Sequence, residues 1–72
     1  MPFNEYDHVE LIETLDSSLQ RGTRGAIVMV YTGSPAEYEA EFVDQDGHTI
    51  ALQTVKDSQI RLVKMTPTES KE

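Results

Sequence analysis

Three glutamates at alternate positions are the side chains whose type and spacing most clearly offer chemistry. Glu37, Glu39 and Glu41 alternate with apolar residues. Because successive side chains of a strand point to opposite faces, this pattern predicts three carboxylates on one face. Such charges, about 7 Å apart, repel one another, and Asp44 and Asp46 extend the acidic surface. We therefore expect these five residues to bind a basic protein partner, although a solvated face that discourages edge pairing gives the same pattern.

The charge of the whole chain has the same sign. Among 72 residues, 13 are acidic and 6 are Lys or Arg, which gives a formal net charge of −7. Nucleic-acid binding draws most of its free energy from cationic side chains that neutralise phosphates, so this charge counts against it. The alternative hypothesis is a nucleic-acid- or ribosome-associated small β-barrel that uses Arg21, Arg24 and Arg61.

The sequence contains no constellation of catalytic or metal-binding residues. His8 and His48 are the only histidines and there is no cysteine, so neither a thiolate site nor an H-E-x-x-H site is formed. No serine stands in a G-x-S-x-G motif. The segment G-T-R-G at residues 22–25 lacks the spacing of a phosphate loop and predicts a turn instead. We therefore expect a protein that is not an enzyme and that holds no cofactor and no metal.

The length of the chain predicts one small domain. No apolar run approaches the roughly 20 residues that span a bilayer, and no basic-then-apolar leader opens the chain. The expectation is a cytoplasmic protein without membrane contact, and the sequence carries no signal for an oligomeric state. The polar end of the chain predicts a flexible tail over residues 65–72, which leaves residues 1–64 for the domain.

Turn signals divide the chain into five short extended segments. Asp46-Gly47 between two of these segments is typical of a β-hairpin, and the polar residues 56–59 suit a single 3-10 turn. The predicted strands cover residues 8–13, 26–32, 38–43, 48–55 and 60–63.

The alternation of apolar and polar residues within these strands predicts which side chains face inward. The predicted core consists of Val9, Leu11, Val28, Val30, Tyr38, Ala40, Phe42, Ile50, Leu52, Ile60 and Leu62. The first segment allows two interpretations, because Leu11, Leu15 and Leu19 stand at helical spacing. A helix over residues 8–20 is therefore the alternative to the first strand.

Six motifs follow one another along the chain: Asp7-x-Val9-x-Leu11, Gly22-x-x-Gly25-Ala26-Ile27-Val28-x-Val30-Tyr31, Tyr38-Glu39-Ala40-Glu41-Phe42-Val43-Asp44, Asp46-Gly47, Thr49-Ile50-Ala51-Leu52 and Gln59-Ile60-Arg61. In this order, over about residues 3–63, the chain resembles the domain of unknown function 4926 family of short bacterial proteins. The resemblance implies an SH3-like fold and favours a strand at residues 8–13. The expected fold is all-β: a small five-stranded SH3-like barrel with a long first loop and a short 3-10 turn before the last strand.

The resemblance also bears on function. Some members of that family stand beside toxin domains, which implies an antitoxin or immunity role. Together with the acidic row, it leads to the hypothesis of a non-catalytic protein-interaction module, with a basic toxin as one candidate partner.

Overall fold

The computed structural model describes residues 3–63, which form five antiparallel strands in one sheet. The strands are β1 His8–Leu11, β2 Arg24–Tyr31, β3 Glu37–Val43, β4 Thr49–Lys56 and β5 Ile60–Leu62. A 3-10 turn at Asp57–Gln59 precedes β5. The all-β class, the five strands and the turn before the last strand are thus confirmed. The tail predicted at residues 65–72 lies outside the described residues.

The strands stand in the order β4-β3-β2-β1-β5, so that β4 and β5 are the edges of the sheet. The short β1 pairs with β2 on one side and with β5 on the other. Among residues 3–63 no ladder joins β4 to β5, and closure into an SH3-like barrel stays a prediction. β2, β3 and β4 pair along most of their lengths and form the broad part of the sheet.

The long first loop, residues 12–23, connects β1 to β2 without a helix, so the helical alternative is wrong. The two ends of the loop are tied together, because the amide of Gly22 donates to the carbonyl of Leu11 at 2.8 Å. Within the loop, the Asp16 carboxylate accepts the amide of Leu19 at 2.9 Å. The Leu19 side chain is buried in the core. The helical spacing of the leucines therefore reflects a loop residue that is anchored in the core.

The core lies on the inner face of the sheet. The buried side chains are Val9, Leu11, Leu19, Ile27, Tyr38, Ala40, Phe42, Val55 and Ile60. The core residues predicted in β1 and β3 are all among them, as is Ile60. The prediction for Leu62 is wrong, because this residue near the end of a short edge strand is 44% exposed.

In β4 the side chains predicted to face inward point outward instead. Ile50 and Leu52 are 37% and 59% exposed, whereas Val55 is buried. The reason is the register with β3. Val55 stands opposite the buried Tyr38, and Leu52 stands opposite Glu41, and residues directly opposite each other in an antiparallel pair share a face.

A β-bulge changes the alternation in β2. The pairing with β3 shifts between Ile27 and Met29, and a bulge inserts one residue that has no single partner. Val28 occupies this position and is 36% exposed, so its predicted place in the core is wrong. Beyond the bulge, Val30 is half-buried and packs against the core.

Candidate protein-binding face

The glutamates of β3 lie on the outer face of the sheet. Burial alternates along the strand, so that each half-buried glutamate is followed by a buried residue. The predicted division of β3 into a carboxylate face and an apolar face is therefore confirmed. We call the three glutamates and their direct neighbours on β2 and β4 the acidic face. Its rows are Tyr31, Glu37 and Lys56; Met29, Glu39 and Thr54; and Ala26, Glu41 and Leu52.

Hydroxyl groups of the neighbouring strands hold two of the three carboxylates. The Thr54 hydroxyl donates to Glu39 Oε1 at 2.8 Å, and the Tyr31 hydroxyl donates to the same oxygen at 3.4 Å. The Thr49 hydroxyl donates to Glu41 Oε2. These donors are neutral, so they fix the position of the carboxylates without compensating their charge. A carboxylate has about four acceptor sites, which leaves room for a cation of a partner.

Exposed apolar side chains flank the carboxylates. Met29 is 48% exposed beside Glu39, and Leu52 is 59% exposed beside Glu41. Tyr31 on β2 is also exposed, at 42%. The acidic face therefore offers both charge and apolar contact area to a partner.

The hairpin aspartates, Asp44 and Asp46, follow the acidic face at the end of β3. Asp44 Oδ1 accepts the backbone amides of Asp46 and His48, each at 2.9 Å, which stabilises the turn. Ligand atoms of Asp44, Asp46 and His48 lie within 4.8 Å of one another, and all three side chains are exposed. The structure thus gives Asp44 a role in the turn, and partner binding by the two aspartates stays a prediction.

The three arginines of the nucleic-acid hypothesis occupy different surroundings. Arg61 on β5 contacts Glu10 through two nitrogens, at 2.9 Å from Nε and 2.6 Å from the terminal nitrogen. Glu10 stands directly opposite both Arg61 and Arg24 in the sheet. Arg21 and Arg24 instead line a surface groove beside the β3–β4 hairpin. The structure therefore pairs Arg61 with a carboxylate, and only Arg21 and Arg24 share the groove.

The family model described as Domain of unknown function (DUF4926) matches residues 5–62. The chain belongs to this family. No curated protein and no solved structure matches it. Membership in the DUF4926 family confirms the resemblance that the motifs suggest and assigns no activity to the acidic face. In the part of this DUF4926 protein that the structure describes, no helix is long and apolar enough to cross a membrane.

Proposed function

We propose that this DUF4926 protein is a non-catalytic protein-interaction module whose acidic face binds a basic protein partner. The observation that carries the proposal is the row of Glu37, Glu39 and Glu41, which faces outward between exposed Met29 and Leu52. Protein interfaces combine apolar contact area with complementary charge, and the acidic face supplies both.

The electrostatics of the row favour a cationic partner. Two carboxylates about 7 Å apart repel each other by about 0.6 kcal/mol in bulk water and by about 2.4 kcal/mol at an effective dielectric constant of about 20. Lys56 opposite Glu37 is the only cation in the rows of the acidic face. Because hydroxyl groups already orient Glu39 and Glu41, less side-chain entropy is lost when a Lys or Arg of the partner binds.

A sharper form of the proposal is an antitoxin or immunity protein that works in the cytoplasm and covers a cationic toxin. The net charge of −7 would steer such a protein rapidly onto a basic enzyme. The resemblance of the chain to proteins that stand beside toxin domains supports this form. In this form of the proposal, Asp44 and Asp46 make further contacts with the toxin at the rim of the acidic face.

The experiment is affinity capture with the purified full chain as bait, at low and at high salt. The test variant carries Glu37→Gln, Glu39→Gln and Glu41→Gln, which keep the hydrogen-bond acceptors and remove the charge. The matched control carries Glu5→Gln, Glu13→Gln and Asp57→Asn at exposed positions that are not part of the acidic face. Both variants change the net charge by the same amount, so only the position of the charge differs.

We expect the bait and the control variant to retain a basic protein at low salt, and the test variant to lose it. High salt should release the protein, because salt screens surface charges. A partner that the test variant and the control variant retain equally would contradict the proposal. For the antitoxin form, the purified partner should show a toxic activity that the wild-type chain inhibits and the test variant does not.

The nucleic-acid alternative has no comparable support in the structure. Of its three arginines, Arg61 is engaged with Glu10, which removes one cation from any phosphate-binding patch. Salt-dependent affinity for phosphates grows with each additional neutralised phosphate, and two arginines on a chain of net charge −7 supply little of it. We therefore propose no second function.

A further inference from the structure

A groove opens on the surface next to the acidic face, at the end of the sheet where Arg24 pairs with Val43. It has a volume of about 850 Å³ and lies between the end of the first loop and the β3–β4 hairpin. Arg21 and Arg24 line it from the loop and the start of β2, and Asp44 lines it from the hairpin. Small-molecule sites in proteins have volumes of roughly 300–1,000 Å³, so the groove has the size of a ligand site.

The two arginines of the groove are the unusual feature, given the charge of the chain. In the described part of the chain, no carboxylate lies within 4.0 Å of either guanidinium group. Arg61, in contrast, forms a salt bridge with Glu10, with 2.6 Å between a terminal guanidinium nitrogen and Oε1. The sequence has 13 acidic residues for 6 cationic ones, so carboxylates that could pair with Arg21 and Arg24 are abundant. Two guanidinium groups on one groove without a carboxylate partner leave donors for an anion from outside the chain.

The segment that carries these arginines is held in place by hydrogen bonds of its backbone amides. The amide of Arg21 donates to the Thr14 hydroxyl at 3.0 Å, and the amide of Thr23 donates to the carbonyl of Gln20 at 3.0 Å. Gly22, with φ of 95°, donates its amide to Leu11 across the loop. These amides are therefore used within the chain, and an anion would be bound by the side chains rather than by a phosphate-loop backbone.

The remaining walls restrict the kind of anion. Asp44 on the opposite side repels a polyanion, as does the net charge of −7, but a single anionic group beside two arginines is compatible with both. Val43 and the 37% exposed Ile50 add an apolar wall. We propose that the groove binds a small organic anion, with one carboxylate or phosphate group at Arg21 and Arg24 and a compact apolar body against Ile50. The proposal does not depend on the function of the acidic face.

The test is an NMR titration of the ¹⁵N-labelled full chain at constant ionic strength. The probes are benzoate, phenyl phosphate and, as a neutral analogue, benzyl alcohol. Arg21→Gln and Arg24→Gln remove one guanidinium each, and neither residue has a side-chain partner among residues 3–63 whose loss would unfold the chain. Lys56→Gln is the matched control, because it removes an exposed cation outside the groove.

We expect benzoate or phenyl phosphate to shift the amides of Gly22, Arg24 and Gly47 in a saturable manner. The tighter of the two probes identifies the anionic group. Each arginine variant should weaken binding about tenfold, as expected for one lost charge-assisted hydrogen bond, whereas Lys56→Gln should leave it unchanged. Benzyl alcohol shifts equal to those of the anions, shifts that do not saturate, or arginine variants that bind the anions as tightly as the wild-type chain would overturn the proposal.

Discussion

β3 and β4 pair with each other over most of their lengths, yet they divide apolar and polar side chains differently. In β3 the glutamates face outward and the residues between them are buried. In β4 the large aliphatic residues Ile50 and Leu52 are exposed, while the half-buried Gln53 stands opposite the buried Ala40. In the internal strand β3 the hydrophobic alternation of the sequence predicts which side chains are buried, whereas in the edge strand β4 the pairing with β3 determines it.

The difference follows from the register between the two strands. Tyr38 and Phe42 are among the largest fully buried residues, and Val55 of β4 stands opposite Tyr38 on the inner face. Opposite Phe42, β4 places the small Ala51. The consequence bears on function, because a leucine turned outward beside Glu41 leaves apolar surface in water that a partner can cover.

The largest expected effect comes from Phe42→Ala on the inner face of β3. Phe42 is fully buried, and loss of a buried Phe ring costs about 3–5 kcal/mol. A domain of this size has only about 3–5 kcal/mol of net stability, so circular dichroism should show a largely unfolded variant. A variant that stays folded and unfolds cooperatively near the wild-type midpoint would mean that Phe42 does not fill the core.

The next effect is expected for Gly25→Ala, which tests how closely β2 approaches β3. A Cβ atom at Gly25 would lie 2.8 Å from Phe42 Cδ1 and would collide with the carbonyl oxygen of Glu41. Overpacking of this kind costs about 1–3 kcal/mol, and the backbone atoms involved cannot move away easily. Urea denaturation should show the loss, with Gly47→Ala as a comparison, because nothing lies within 4 Å of a Cβ there and only its φ of 87° opposes the change. A loss of less than about 0.5 kcal/mol for Gly25→Ala would contradict the close approach.

A matched pair within β4 tests the comparison of the two strands directly. Val55→Ala removes a buried side chain and should lower the free energy of unfolding by about 1–2 kcal/mol. Leu52→Ala removes a larger but exposed side chain and should change it by no more than about 0.5 kcal/mol. Both values come from urea denaturation. If Leu52→Ala were the more destabilising of the two, the assigned register of β4 would be wrong.

The smallest effect on stability is expected for Glu39→Gln on the acidic face. The variant keeps an acceptor for Thr54 and removes one of three like charges. Because it also weakens the hydrogen bonds from Thr54 and Tyr31, which are stronger to a charged carboxylate, stability should rise by no more than about 0.5 kcal/mol. The gain should be present at about 10 mM salt and absent at about 1 M, where charges are screened within about 3 Å. A loss of stability at low salt would show that Glu39 has a stabilising partner that outweighs the repulsion.

Local patterns in the sequence were sufficient to predict the two faces of β3 and the positions of the turns. Strict alternation around Glu39 identifies both faces of its strand, and Asp46-Gly47 identifies the hairpin. The exposed position of Leu52 depends on the pairing of β4 with β3, and the alternation of residues within β4 does not predict it. The turn alone does not give this pairing, because Val43 pairs with Thr49 next to the hairpin and the register shifts before Phe42 pairs with Ala51.

Other features depend on contacts that no local pattern contains. Leu19 is buried although it lies in a polar loop, because a turn at Asp16 brings it back to the core. The bulge at Val28 arises from the pairing of two strands, and no Gly or Pro at this position indicates it in the sequence. The contact between Arg61 and Glu10 depends on the pairing of β5 with β1, which joins residues from opposite ends of the domain.

The most direct test of the proposed interaction follows the methyl groups of the acidic face when the basic partner binds. In the chain labelled with ¹³C-methyl methionine and leucine, Met29 and Leu52 report on the acidic face, and the 44% exposed Leu62 on β5 serves as the reference. We expect the partner obtained by capture to shift or broaden the Met29 and Leu52 signals, to leave Leu62 unchanged, and to have no effect on the Glu37→Gln, Glu39→Gln, Glu41→Gln variant. Binding that perturbs Leu62 while Met29 and Leu52 stay unchanged would contradict the assignment of the acidic face as the docking surface.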